Sequence, residues 1–256
     1  MVKYVRFWVL KVLYKEVMYD MKHRFFITGD THGCIERFSF ENFPVGRNLN
    51  KNDIMFIAGD FGLIWRNKED EEEKYWLNWL DKRPWTTLII LGNHENYNAI
   101  KNNYQEIEIN IDGTPFKVYK VRNSVFIIKR AQYFKIGEKT FFCFGGARSV
   151  DKESRIVNIS WWEDELPNFK ECNDALEILA VNNNKVDYII THEIPFDVIK
   201  MLYPNDYTKD YMNSFLSEIY NKVKYSQWYG GHHHRNIMNI GNTNVNILYN
   251  DIIEIK

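Results

Sequence analysis

The chain predicts an α/β fold, and three observations predict it. Apolar runs ending in Gly29-Asp30, Gly59-Asp60 and Gly92-Asn93 recur through its first hundred residues. An amphipathic stretch lies between the second and third of these runs. Shorter runs punctuated by hairpin turns follow. Strand, helix, strand in this order is the βαβ pattern of a parallel sheet, and the later runs predict a meander that forms a second sheet or its edge.

The first strand is Arg24-Phe25-Phe26-Ile27-Thr28, which leads into Gly29-Asp30-Thr31-His32-Gly33. This ending delivers a carboxylate and an imidazole to the strand's C-terminal edge, where open α/β sheets place their ligands. Asp53 to Ala58 is a second strand, followed by Gly59-Asp60-Phe61-Gly62. Glu69 to Leu80 is acidic at its start and apolar at Tyr75, Trp76, Trp79 and Leu80, an amphipathic helix with its charges favourably near the N-terminus. Thr86 to Leu91 is a third strand, ending in Gly92-Asn93-His94-Glu95.

From Ile107 to Phe144 the short runs are Phe116 to Tyr119, Ser124 to Lys129, Tyr133 to Ile136 and Thr140 to Phe144. Asp112-Gly113 and Gly137-Glu138 are their hairpin signals. Lys129-Arg130 reads as a solvated strand face. Gly145 to Trp162 reads as a polar loop, Asn173 to Val181 as a helix, and Val186 to Ile190 as a strand ending in Thr191-His192-Glu193. Tyr211 to Tyr220 reads as a helix, and Gln227-Trp228-Tyr229 leads into Gly230-Gly231-His232-His233-His234. The runs 236–240, 244–249 and 252–255 are expected to close the chain as antiparallel strands.

At 256 residues with 45% hydrophobic content, the chain can bury a substantial core. A net charge of −1 gives no global field toward nucleic acid or an anionic membrane, so nucleic acid is not indicated by charge. No membrane partner is indicated either, and oligomeric state leaves no signal. Three cysteines without CxxC spacing read as reduced thiols in a cytoplasmic protein. The apolar run within residues 1–20 is too short and too charged to span a bilayer and lacks a cleavage site. The expected organisation is an N-terminal extension over 1–20, an amphipathic helix, and one domain over 21–256.

All but His23 of the seven histidines sit in turns after predicted strands. Five turns carry metal-capable groups: Asp30 with His32, Asp60, Asn93 with His94, His192, and His232 with His234. Carboxylate, imidazole and amide donors suit borderline-to-hard divalent ions such as manganese, iron or zinc, and argue against a thiolate site. Seven candidate ligands are too many for one ion and fit two that share a bridging carboxylate. Two such ions, about 3.5–4 Å apart, are the usual apparatus for in-line attack at phosphorus.

With these blocks in hand, the sequence resembles the calcineurin-like metallophosphoesterases. The resemblance rests on Asp30-Thr31-His32-Gly33, Gly59-Asp60, Gly92 to Glu95, His192 and Gly231 to His234, in that order. It implies a two-sheet β-sandwich flanked by helices and a two-metal phosphoesterase, with manganese first and iron, zinc or nickel as alternatives. It further implies that Asp30, His32 and His234 hold one metal, that Asn93, His192 and His232 hold the other, and that Asp60 bridges them. A hydroxide shared by the metals would then attack phosphorus, with His94 steadying the phosphoryl group and protonating the leaving oxygen. The implied substrate is a phosphorylated small molecule or nucleotide, as a phosphomonoester or a nucleotide-type phosphodiester. The alternatives are a DNA or RNA nuclease, a Ser/Thr protein phosphatase, and a catalytically inactive binding scaffold.

The protein phosphatases of this superfamily carry an Asp and a phosphate-binding Arg where this chain has Leu63 and Ile64. Arg148 and Arg155 in the polar loop are the candidate replacements for phosphate binding. Trp161-Trp162 is expected to pack rather than stack bases. His233 is expected to point away, Glu95 to orient the His94 loop, and Glu193 to sit behind the ligands or on the surface.

Overall fold

The computed structural model describes residues 23–205 and 208–255, so the expected helix over 1–20 lies outside the described residues. The elements are the strands β1 (Phe25–Thr28), β2 (Ile54–Ala58), β3 (Thr86–Ile90), β4 (Gln105–Ile109), β5 (Phe116–Lys120), β6 (Val125–Ile128), β7 (Gln132–Ile136), β8 (Lys139–Phe144), β9 (Lys185–Thr191), β10 (Lys224–Gly230), β11 (Val245–Ile247) and β12 (Ile253–Ile255). The helices are α1 (Glu71–Asp81), α2 (Tyr97–Asn103), α3 (Phe169–Val181), α4 (Phe196–Leu202) and α5 (Tyr211–Lys222).

Two sheets form. The first has seven strands in the order β12-β1-β2-β3-β6-β5-β4, and the second has five in the order β11-β10-β9-β8-β7. Side-chain alternation explains why they stack. On β1 and β2, Phe25, Ile27, Ile54, Phe56 and Ala58 face a core shared with Phe141, Cys143, Tyr188 and Ile190 of the second sheet. The intervening Phe26, Met55 and Ile57 face a separate core beneath α1 and α2. On the second sheet, Phe142, Phe144 and Ile189 pack outward against α3, α4 and α5. The layers are therefore helix, sheet, sheet, helix, a two-sheet sandwich flanked by helices.

Parallel pairing sets where the site lies. β1, β2, β3 and β6 run parallel in the first sheet, and β8, β9, β10 and β11 run parallel in the second. The C-terminal ends of β1, β2, β3, β9 and β10 carry all seven candidate ligands.

Several expectations need correction. The run from 107 to 144 is no single meander: β4, β5 and β6 extend the first sheet, while β7 and β8 form a hairpin in the second. The chain end is not three antiparallel strands. β11 pairs parallel with β10, β12 pairs antiparallel with β1, and residues 236–240 give only an isolated bridge from Ile237 to Ile247. Left-handed backbone at Asn239, Gly241 and Asn242 breaks the extended run there. The helix expected from Asn173 begins at Phe169, where Asn168 and Glu171 form a capping box. Arg130 is not on a solvated face. Its side chain is 6% exposed and donates to the Gly145 and Glu165 carbonyls at 2.8 and 3.0 Å, clamping two loops together.

Candidate metal centre

Tight turns deliver the ligands. Asp60 Oδ1 lies where a Cβ on Gly92 would sit at 2.1 Å, and Asp30 Oδ1 where one on Gly231 would sit at 2.2 Å. Only glycine lets these loops close over the carboxylates. Four candidate ligands themselves have left-handed backbone: His32 (φ 43°), Asp60 (φ 47°), His232 (φ 66°) and His234 (φ 49°). Non-glycine residues hold such angles at a cost of about 1–3 kcal/mol each, and they gather at functional sites.

The floor of the site is buried: Asp30, Asp60, Asn93 and His192 have almost no exposure. His32 and His234 are open to solvent above it. Asp30, His32, Asp60 and His234 each offer a ligand atom, all within 4.8 Å of one another. In this half the Nε2 atoms of His32 and His234 approach to 3.0 Å. Asp30 Oδ2 faces His234 Nε2 at 3.3 Å and has no hydrogen-bond donor although it is buried. A buried oxygen left without a donor is costly, and a cation placed among these atoms would satisfy it.

The second half gathers around His192. Its Nδ1 lies 2.7 Å from the Ala58 carbonyl, a partner that can only accept, so Nδ1 carries the proton and Nε2 is left to ligate. Nε2 lies 3.1 Å from Asn93 Oδ1 and 3.3 Å from Asp60 Oδ1. The His232 ring centroid lies 5.1 Å from that of His192, and the His232 N–H donates to Asp30 Oδ1 at 2.9 Å. Asp60 spans both halves, with Oδ1 toward His192 and Oδ2 at 3.8 Å from His32 Nε2.

Electrostatics follow from this packing. Burial would raise the Asp60 carboxyl, but the His192 imidazole overcomes it and holds Asp60 well below the usual carboxylate range. Burial disfavours a charged His192, yet the Asp60 and Asp30 carboxylates push it up to about 10. Burial raises Asp30 and pushes His232 down to about 4. A cation among these carboxylates would take the place of the proton they draw onto His192, and carboxylates massed in a dry pocket beside imidazoles are a donor set matched to hard or borderline dications. The residues present fit a metal pair.

His94 is half-buried at the mouth of the site. Its backbone N–H donates to Asp60 Oδ1 at 2.8 Å, and Arg155 Nη2 approaches its Nε2 at 2.9 Å. Burial, with help from the Arg155 cation, lowers its pKa against the pull of Asp60. Asp151 Oδ1 grips Arg155 Nε at 2.8 Å, leaving the Arg155 side chain 10% exposed. Arg148 is exposed at the start of the same loop and makes no approach to His94 among the described contacts. The structure thus separates the two arginines.

The neighbours fall as follows. Glu95 is fully buried and accepts from the Phe61 N–H at 2.8 Å, tying the Asp60 turn to the His94 turn, and burial pushes it up to about 8. Glu193 is not at the surface: it is buried and 2.9 Å from His233 Nε2, which turns His233 away from the centre. Trp161 and Trp162 are buried in packing, Trp162 edge-on to Trp65 at 5.3 Å. Sequence reasoning missed Ser149 and Glu165. Asn93 Nδ2 donates to Ser149 Oγ at 3.2 Å, and Ser149 Oγ donates to Glu165 Oε2 at 2.6 Å. No local pattern marks that pair, since it meets Asn93 only through tertiary folding.

The family model for calcineurin-like phosphoesterases matches residues 23–236. No curated protein matches the chain.

Proposed function

The chain belongs to the calcineurin-like phosphoesterases, metal-dependent hydrolases of phosphate esters, and from that premise we propose that it cleaves a small or exposed phosphate ester at a two-ion centre. The substrate class is a phosphomonoester or a nucleotide-type diester. Asp30, His32 and His234 would hold one ion, Asn93, His192 and His232 would hold the other, and Asp60 would be shared between them. Manganese is the first choice and iron, zinc or nickel are alternatives, all compatible with oxygen and imidazole donors. When bound, the pair supplies acidification of water and neutralisation of phosphoryl charge.

The observation that carries this reading is the convergence of both Asp60 oxygens with the donorless Asp30 Oδ2 and the paired imidazole nitrogens of His32 and His234. The remaining residues divide the work by position. His94, held to Asp60 through its backbone, gives a proton to the departing oxygen from the open side of the site. Arg155, aimed by Asp151, offers Nη atoms to the phosphoryl oxygens beside His94. Arg148, exposed on the same loop, is a second cation for a substrate's outer charge. Leu63 and Ile64, where protein phosphatases carry Asp and Arg, are buried and apolar, which disfavours a protein phosphatase. The net charge of −1 disfavours a nuclease. The full donor set disfavours an inactive scaffold. No helix among the described residues is long and apolar enough to cross a membrane, and free Cys34, Cys143 and Cys172 suit a cytoplasmic setting.

An aryl phosphate and its bis-ester, assayed side by side with added Mn2+, test the proposal. Turnover of either is expected, and their ratio separates monoesterase from diesterase. No turnover of both, together with no bound Mn2+, would leave the scaffold reading standing.

A further inference from the structure

We infer that Ser149 and Glu165 are positioning residues that turn the Asn93 side chain so that its oxygen, not its nitrogen, faces the second ion. This inference rests on the two-ion reading above. The reasoning starts from the amide itself. An asparagine can ligate a dication only through Oδ1, and a free amide has no strong preference for which end points inward. Something must therefore hold the nitrogen on the far side.

Here that group is identifiable. Asn93 Nδ2 donates to Ser149 Oγ at 3.2 Å while Asn93 Oδ1 lies 3.1 Å from His192 Nε2. A serine hydroxyl can accept as well as donate, so by itself it would not select an end of the amide. Glu165 removes the ambiguity. Its Oε2 accepts a hydrogen bond from the Ser149 hydroxyl at 2.6 Å, and its Oε1 accepts one from the Ser149 backbone N–H at 2.9 Å. With its proton committed to a carboxylate, Ser149 Oγ presents only lone pairs to Asn93. The amide must then turn its NH₂ toward Ser149 and its oxygen toward the centre.

All three residues are buried, Asn93 at 3% and Ser149 and Glu165 at 1% exposure, so water cannot substitute for any partner in the chain. Glu165 is itself placed from outside the site. Arg130 grips the Glu165 carbonyl at 3.0 Å and the Gly145 carbonyl at 2.8 Å, so the loop bearing Ser149 and the segment bearing Glu165 are pinned to one guanidinium. The strand-end loop from β8 thus orients a ligand that belongs to β3. Outer partners of this kind typically govern metal affinity by about 10–100-fold.

The test is calorimetric titration of Mn2+ into chelator-stripped full-length protein, with a double-mutant cycle. Two binding events are expected in the parent. Ser149→Ala should weaken one by about 10–100-fold and leave the other within about threefold. In an Asn93→Ala background the same substitution should add nothing, because the amide it orients is gone. Ser149→Cys fills the site with a slightly larger and more weakly hydrogen-bonding group and should show a smaller loss at the same event, which covers the case in which Ser149→Ala does not fold. Equal weakening of both events, an undiminished effect in the Asn93→Ala background, or no effect in the parent would overturn the inference. A parent that takes up no Mn2+ would overturn the two-ion reading and this inference with it, whereas a two-ion parent with an indifferent Ser149 would overturn this inference alone.

Discussion

His94 stands where the buried floor of the site gives way to solvent, fixed through its backbone to Asp60 and flanked by Arg155. Because it touches the centre without contributing a ligand in this reading, His94→Ala should cut turnover by about 10²–10⁴-fold while elemental analysis still finds two ions. Loss of the ions along with activity would instead make it a ligand. At this scale the donor types were legible, since metal and phosphate chemistry admits few side chains and these recur after strand ends. The backbone cost was not. Asp and His adopt a positive φ more readily than most residues, but their type alone does not say that His32, Asp60, His232 and His234 are the ones that do. That Arg155 rather than Arg148 lies beside His94 is likewise visible only with Asp151 and His94 in place.

Among the elements, α1 shows how a legible helix is anchored by an illegible contact. Its acidic start and aromatic spacing announced it, and Asp70 caps it by accepting from the Glu73 N–H. Glu69, just before the cap, accepts two hydrogen bonds from Arg122 beyond β5, at 3.0 and 2.7 Å, and one from Tyr104 at 2.7 Å. The Arg122 bonds hold the Glu69 carboxyl below the usual carboxylate range. A depressed folded pKa means a contribution fully present above the unfolded value and lost as pH falls through the folded one. Thermal melts of the parent and Glu69→Gln should therefore differ at pH 7 and converge as pH drops below about 4; a constant gap would refute this. The shorter α2 and α4 escaped the sequence because seven-residue helices show too little periodicity. The direction of β11 escaped because pairing is chosen by the β10 edge rather than by β11's own residues.

Across the whole molecule, five strand ends from two sheets meet at one rim, and Asp60 lies between the halves they form. Asp60→Asn should lower occupancy of both ions together, and chelation should lower the parent's melting temperature more than the variant's. Ligand at about 100 times its Kd is worth about 2.7 kcal/mol to the folded state. Loss of one ion alone would deny the bridge. The first sheet's parallel centre was legible from its apolar runs, but the division of the middle strands between sheets was not, because both sheets use the same alternating pattern. The pairing of β1 with β12 sets Phe25 beside Ile255, with a mechanical consequence. Tension applied at those two points meets an antiparallel pair at its open end, so its hydrogen bonds yield one after another like a zipper instead of sharing the load. β12 peels first, and what it uncovers is the bare flank of the strand that carries Asp30 and His32.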